Sequence, residues 1–167
     1  MYNHALRSFR NARRGIIFDT NILLVFLVGL LDRSSISSFK RTASYSEEDF
    51  EILARIASAF PRLTTTPHVL TEVCNHGDSY NNASRNIYPT IIHFIENTKE
   101  RRTDAKTAIT FAHFPVLGIA DTTLFHASLN GHCVVTDDMT CHNFIEDAGG
   151  LSLNFNHLRS AKWLAGT

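Results

Sequence analysis

The chain lacks an excess of either charge. Sixteen Lys and Arg stand against 16 Asp and Glu, so no bulk field draws it onto nucleic acid or a membrane surface. Four arginines near the start, Arg7, Arg10, Arg13 and Arg14, are the one local departure, and they read either as phosphate contacts or as a solvated end. No apolar run is long enough to span a bilayer. The run Ile22-Leu23-Leu24-Val25-Phe26-Leu27-Val28-Gly29-Leu30-Leu31 falls well short of the roughly 20 residues needed, and extending it backwards meets Asn21 and Asp19. No small-residue cleavage site follows, so a signal peptide fits poorly and the segment reads as a buried helix. Cysteine is scarce. Cys74, Cys133 and Cys141 form no C-x-x-C pair, which leaves His132-Cys133 and Cys141-His142 as weak zinc candidates. Without an export signal the three read as reduced thiols in a cytoplasmic protein. There is no G-x-x-x-x-G-K-[ST] and no G-x-G-x-x-G, which removes the usual nucleotide-cradling loops. There is also no internal repeat.

What is present fits a single domain over residues 1–167, with a core at about 15–159 behind a basic extension at 1–14. Hydrophobic content of 44% against 19% charged is that of a chain able to bury a core rather than stay disordered. Short strands are predicted at Gly15–Phe18, Leu63–Thr65, Cys133–Val135 and Leu151–Phe155. Helices are predicted over 22–31, 46–60, 67–76, 86–100, 122–129 and 141–148. Ser46-Glu47-Glu48-Asp49 resembles a capping box, and Thr66-Pro67 pairs an N-cap with proline at the first helical position. Residues 34–45, rich in serine, are expected to form a mobile loop. Strands alternating with helices predict an α/β fold, a three-layer α/β/α sandwich around a small parallel sheet.

Acidic residues stand at the turns of this pattern. Asp19 ends the first apolar strand, and Asp137-Asp138 end the strand from His132 to Thr136. In open parallel sheets, ligands bind beyond the carboxyl ends of the strands, so these carboxylates are expected to meet in one crevice. Gathered carboxylates repel unless a divalent cation neutralises them, and an all-oxygen set suits a hard cation. Each acid also has a local explanation. Asp19 and Asp121 are equally explained as helix caps, Glu72 as an exposed helix residue, and Asp137-Asp138 as a simple turn.

Several motifs in order resemble the PIN-domain nucleases, which include the toxins of VapC-type toxin–antitoxin pairs. They are Phe18-Asp19-Thr20-Asn21-Ile22-Leu23, Pro67-His68-Val69-Leu70-Thr71-Glu72-Val73, and Gly118-Ile119-Ala120-Asp121-Thr122. Ala127-Ser128-Leu129-Asn130-Gly131 then leads into Val134-Val135-Thr136-Asp137-Asp138, and Leu151 to Arg159 resembles the family's end. The likeness spans residues 16–159. The stretch between 29 and 62 is longer than the compact helical hairpin of the small toxins, and their frequent basic excess is missing.

The resemblance implies a metal-dependent ribonuclease using Mg²⁺ or Mn²⁺, with 5′-phosphate and 3′-hydroxyl products. By the same resemblance Asp19, Glu72, Asp121 and Asp138 are the catalytic and metal-holding acids. Asn21, Thr136 and the neighbouring Asp137 support them from a second shell. RNA is the implied substrate and, for a toxin, an antitoxin protein the implied partner; a homodimer is the other candidate partner, and the short apolar run predicts no membrane association. Lys40, Arg41, Arg101 and Arg102 are candidates for the RNA backbone. Apolar residues of the 22–31 and 50–60 helices either offer a docking face or lie in the domain's own core. Two rivals differ in class. A haloacid-dehalogenase-type phosphatase wants a second Asp where this chain has Asn21. A non-catalytic PIN-like RNA- or protein-binding module would have no reason to keep mutually repelling carboxylates.

Overall fold

Ile16-Ile17-Phe18 is fully buried and forms β1 (Ile16–Phe18), the central strand of the sheet. The computed structural model describes residues 12–81 and 85–160, so Arg7, Arg10 and Asn82 lie outside the described residues. The other strands are β2 (Leu63–Thr65), β3 (Lys99–Glu100), β4 (Cys133–Thr136) and β5 (Leu151–Asn154). All five run parallel in the order β3-β2-β1-β4-β5. Ile16 pairs with Leu63 on one side and with Cys133 on the other. The chain thus builds outward from β1 through β2 and β3, then returns to lay β4 on the opposite side. The order reverses between β1 and β4, and that switch point fixes where a crevice opens.

Helices flank the sheet to give the expected three-layer α/β/α sandwich. α1 (Thr20–Leu31) is apolar on every side and Ile22 through Gly29 are all buried, as befits a helix enclosed by others. It packs against α2 (Glu47–Ala59), α3 (Pro67–Gly77) and α4 (Tyr88–Asn97). Gly29 lets α2 come close, because a Cβ there would stand 2.2 Å from the Phe50 ring. Phe26 lies stacked on Phe50 and edge-on to Phe18, with centroids at 5.9 and 5.4 Å. Each fully buried side chain of this size contributes about 1.5–3 kcal/mol. The apolar residues of α1 and α2 are therefore the domain's own core, with only Leu30 and Leu31 of the 22–31 segment exposed. No helix among the described residues is long and apolar enough to cross a membrane.

The capping box is formed, with Ser46 and Asp49 bonded reciprocally, and Thr66 accepts from the Val69 N–H at 3.2 Å. Five expectations need correction. Residues 34–45 carry no strand or α-helix, as expected of a loop, but they are folded onto the core rather than open. A 3₁₀ turn at Arg33–Ser35, capped by Asp32, leads into a folded segment in which Ile36, Phe39, Thr42 and Tyr45 are buried. Their spacing of three is the period of a 3₁₀ chain. Secondly, the helix expected to run to residue 100 stops at Asn97. Thr98 turns extended, and Lys99–Glu100 adds an edge strand to Thr64 and Thr65.

Thirdly, α6 (Phe114–Leu129), which follows the short α5 (Ala105–Ala108), begins well before Asp121 and is broken at Gly118 (φ 70°, ψ −173°). Asp121 lies in the first turn after that break and is not the cap. Finally, β5 ends at Asn154, whose side chain accepts from the His157 N–H at 3.2 Å as the chain enters α8 (Phe155–Ser160). Between β4 and β5 runs α7 (Met139–Asp147), starting slightly earlier than expected because Asp138 caps it.

Candidate active site

The switch-point crevice holds all the predicted acids. Asp19, Glu72, Asp121, Asp137 and Asp138 line one cavity of about 280 Å³, together with Thr20, Asn21, Asn75 and His76. They come from four places in the chain: the end of β1, the middle of α3, the broken start of α6 and the end of β4.

Asp19 is buried, and both of its oxygens are engaged. Oδ1 accepts from the Ile22 N–H at 2.9 Å and so caps α1, while Oδ2 accepts from the Asp137 N–H at 3.2 Å. The first bond is the local reading and the second is long-range, so capping and site membership are one arrangement. Burial, and next the Asp137 carboxylate, push the Asp19 pKa up to about 8, although the Thr136 hydroxyl and the Ile22 N–H favour the ionised form. Asp121 is pushed up to about 6, first by burial and then by Asp138, Glu72 and Asp137. Among the described residues it has no hydrogen-bond or ion-pair partner.

Glu72 faces the cavity, held by the Thr20 hydroxyl at 2.5 Å. Asp137 accepts from Asn21 Nδ2 at 3.3 Å and from the Tyr45 hydroxyl, and its backbone carbonyl accepts from Asn156 at 3.0 Å. Burial, then the bond to Asp137, drives the Tyr45 pKa far above the ordinary phenol range, so Tyr45 remains a donor. Asp138 is exposed and caps α7 through Oδ1, which accepts from the Thr140 and Cys141 N–H groups at 2.6 and 3.2 Å. Its own N–H donates to Thr136 Oγ1 at 2.9 Å. The N-termini of α1 and α7 thus both open at the crevice, where their partial positive charge favours anions.

The donor chemistry fits a hard divalent cation: every carboxyl in the cavity is an oxygen donor, two are strained by like charge, and one is unbonded. The donors are not drawn together, however. Among the described residues no three His, Cys, Asp or Glu side chains stand at metal-holding spacing. Repulsion within the set works against that spacing.

Four neighbours of the acids escaped the sequence reading. Asn75 and His76 follow Glu72 at i+3 and i+4 on α3, a spacing that puts them on the same helix face. Thr20 stands beside an acid in sequence and meets another in space. Tyr45 carries no sequence signal, because its partner lies far along the chain. Of the proposed backbone contacts, Lys40 and Arg41 line a second cavity of about 680 Å³, with Arg85, Phe39, Tyr80 and Asn21 among its walls. Arg101 and Arg102 line neither cavity, and Arg102 pairs with Glu100.

Comparison with protein-family models, characterised proteins and solved structures returns no match, so the likeness to PIN-domain nucleases rests on the motifs themselves.

Proposed function

We propose that this protein is a PIN-like, divalent-metal-dependent endoribonuclease of the cytoplasm. The observation that carries the reading is the meeting of acids from four chain segments in one cavity at the sheet's switch point. Asp19 and Asp121 would be the main holders of Mg²⁺ or Mn²⁺, with Glu72 and Asp138 completing the set. The cation would acidify an attacking water and stabilise charge on the attacking and leaving oxygens of the phosphodiester. The chain's own groups orient the acids. Thr20 fixes Glu72, Asn21 and Tyr45 fix Asp137, the Ile22 and Asp137 N–H groups hold Asp19, and Thr136 accepts from the N–H of Asp138. Burial of Asp19 strengthens whatever charge interaction it makes.

The alternative is a PIN-like module that binds RNA or protein without cutting, and the ungathered donors favour it. One set of measurements separates the two. Purified protein is incubated with a mixed RNA pool in Mg²⁺, Mn²⁺ or EDTA, beside Asp19→Asn and Asp121→Asn. Cleavage is expected with either metal, none in EDTA, and at least a hundredfold loss in each variant, the scale of removing one electrostatic stabiliser. Asp121→Asn loses no hydrogen bond and sheds repulsion, so its melting temperature in EDTA is expected to match or exceed the parent's. Manganese at about 100 times its dissociation constant is expected to stabilise the parent by about 2.7 kcal/mol and the variants far less. Neither cleavage nor manganese stabilisation would favour the binding module. A toxin role would add a neutralising partner, sought as the product of a small adjacent reading frame that stops cleavage. A homodimer would show in the mass of the purified protein.

A further inference from the structure

We propose that the cavity lined by Lys40, Arg41 and Arg85 is the dock for a single RNA strand on one side of the acid cavity, an inference that rests on the ribonuclease reading. The two cavities share Asn21, whose amide donates to Asp137, so a chain lying in one leads directly into the other. Their charges are opposite. Among the described residues no carboxylate lines the larger cavity, and His76 is the one basic side chain lining the smaller.

Lys40 and Arg41, like most of the described cations, form no hydrogen bond or ion pair among the described residues; what sets them apart is that both line one cavity with Arg85, and no carboxylate among the described residues lines it with them. Their backbone is nonetheless anchored. Phe39 is buried and meets Tyr80 edge-to-face at 5.2 Å, and the Thr42 hydroxyl donates to the Ile36 carbonyl at 2.7 Å. Arg85 approaches from the other wall, with its guanidinium 5.6 Å from the Tyr80 ring centre. Unmatched cations on a fixed platform are pre-organised for a polyanion. Asn21, Ser38 to Arg41, and Ser79, Tyr80 and Arg85 wall the cavity, the form of a basic groove that tracks the backbone of one strand.

The test measures binding of a labelled, unstructured oligoribonucleotide by fluorescence anisotropy across a salt series, with EDTA present throughout. Each phosphate contact on a single strand contributes about −0.7 to the slope of log affinity against log salt. Lys40→Ala/Arg41→Ala is therefore expected to flatten the slope by about 1.4, so that between about 50 and about 200 mM salt the parent loses about sevenfold more affinity than the variant. Arg85→Ala is expected to flatten it by about 0.7. Arg55→Ala/Lys106→Ala removes the same charge from outside the cavity and is expected to leave the slope unchanged; equal thermal unfolding confirms that all variants fold.

Identical slopes for parent and cavity variants would overturn the proposal. So would equal loss in the Arg55/Lys106 control, equal binding of the annealed duplex, or displacement by polyglutamate as effective as by RNA. Cleavage does not enter this readout. Cavity-dependent binding without metal-dependent cleavage would keep the dock and remove the nuclease, and cleavage with indifferent slopes would do the reverse.

Discussion

Tyr45 shows how much one side chain does for the acid cluster. Its hydroxyl reaches Asp137 from a segment otherwise committed to the core, and Arg159 lies over its ring at 5.3 Å while pairing with Asp49 at 2.9 Å. The loop before α2, the cap of α2, the last helix and the site are thus joined through one phenol. Tyr45→Phe keeps the ring and removes the donor, leaving Asp137 with Asn21 as its side-chain donor. Losing a hydrogen bond to a charged group costs about 1.5–3 kcal/mol, and a denaturant titration is expected to show a loss of that order. A merely structural role would leave manganese affinity alone; a positioning role predicts weaker manganese binding in Tyr45→Phe, measured by calorimetry.

At the level of elements, Gly118 decides where Asp121 points. Its backbone lies at φ 70°, ψ −173°, a region open essentially to glycine alone. Nothing crowds its Cβ position, so the effect of a substitution there is conformational and not steric. Gly118→Ala is expected to cost about 1–3 kcal/mol in thermal or chemical unfolding. It is also expected to depress cleavage beyond what that destabilisation explains, because the turn carrying Asp121 must reorient.

The strands and most helices were legible in the sequence because their signals are local: apolar triplets, the Ser46–Asp49 box, Thr66-Pro67. The acids could be nominated because strand ends in a parallel sheet share an edge. What could not be read were features set by distant partners. Lys99–Glu100 becomes a strand only because Thr64 and Thr65 offer an edge, and Asp121 joins the first turn only because Gly118 breaks the helix early. The serines of segment 34–45 mask its burial, which is carried by Ile36, Phe39, Thr42 and Tyr45 at every third residue.

For the whole molecule, histidines and buried acids give opposite responses to pH. His132 is buried, with Nδ1 3.2 Å from the Ala127 carbonyl, and its pKa is held below the ordinary histidine range chiefly by burial. His126 is lowered in the same way. Both gain protons more readily when the chain unfolds, so their contribution to stability is complete above about pH 6.5 and is lost as pH drops below it. Asp19 and Asp121, raised to about 8 and about 6, work in the opposite direction, because the folded state holds protons that the unfolded carboxyls release. The histidine share is therefore read by difference: from about pH 7.5 to about pH 5.5 the urea midpoint of His132→Asn, which retains a donor for Ala127, is expected to rise relative to the parent's. The sheet's order has a consequence during synthesis. Ile16 pairs with Cys133, so the centre of the sheet stays open until the chain has been made through β4. Until Asp137 and Asp138 emerge, Asp19 has no strand end to face. A prematurely terminated product therefore lacks the assembled acid cavity, and the cell meets that cavity only in copies made past β4.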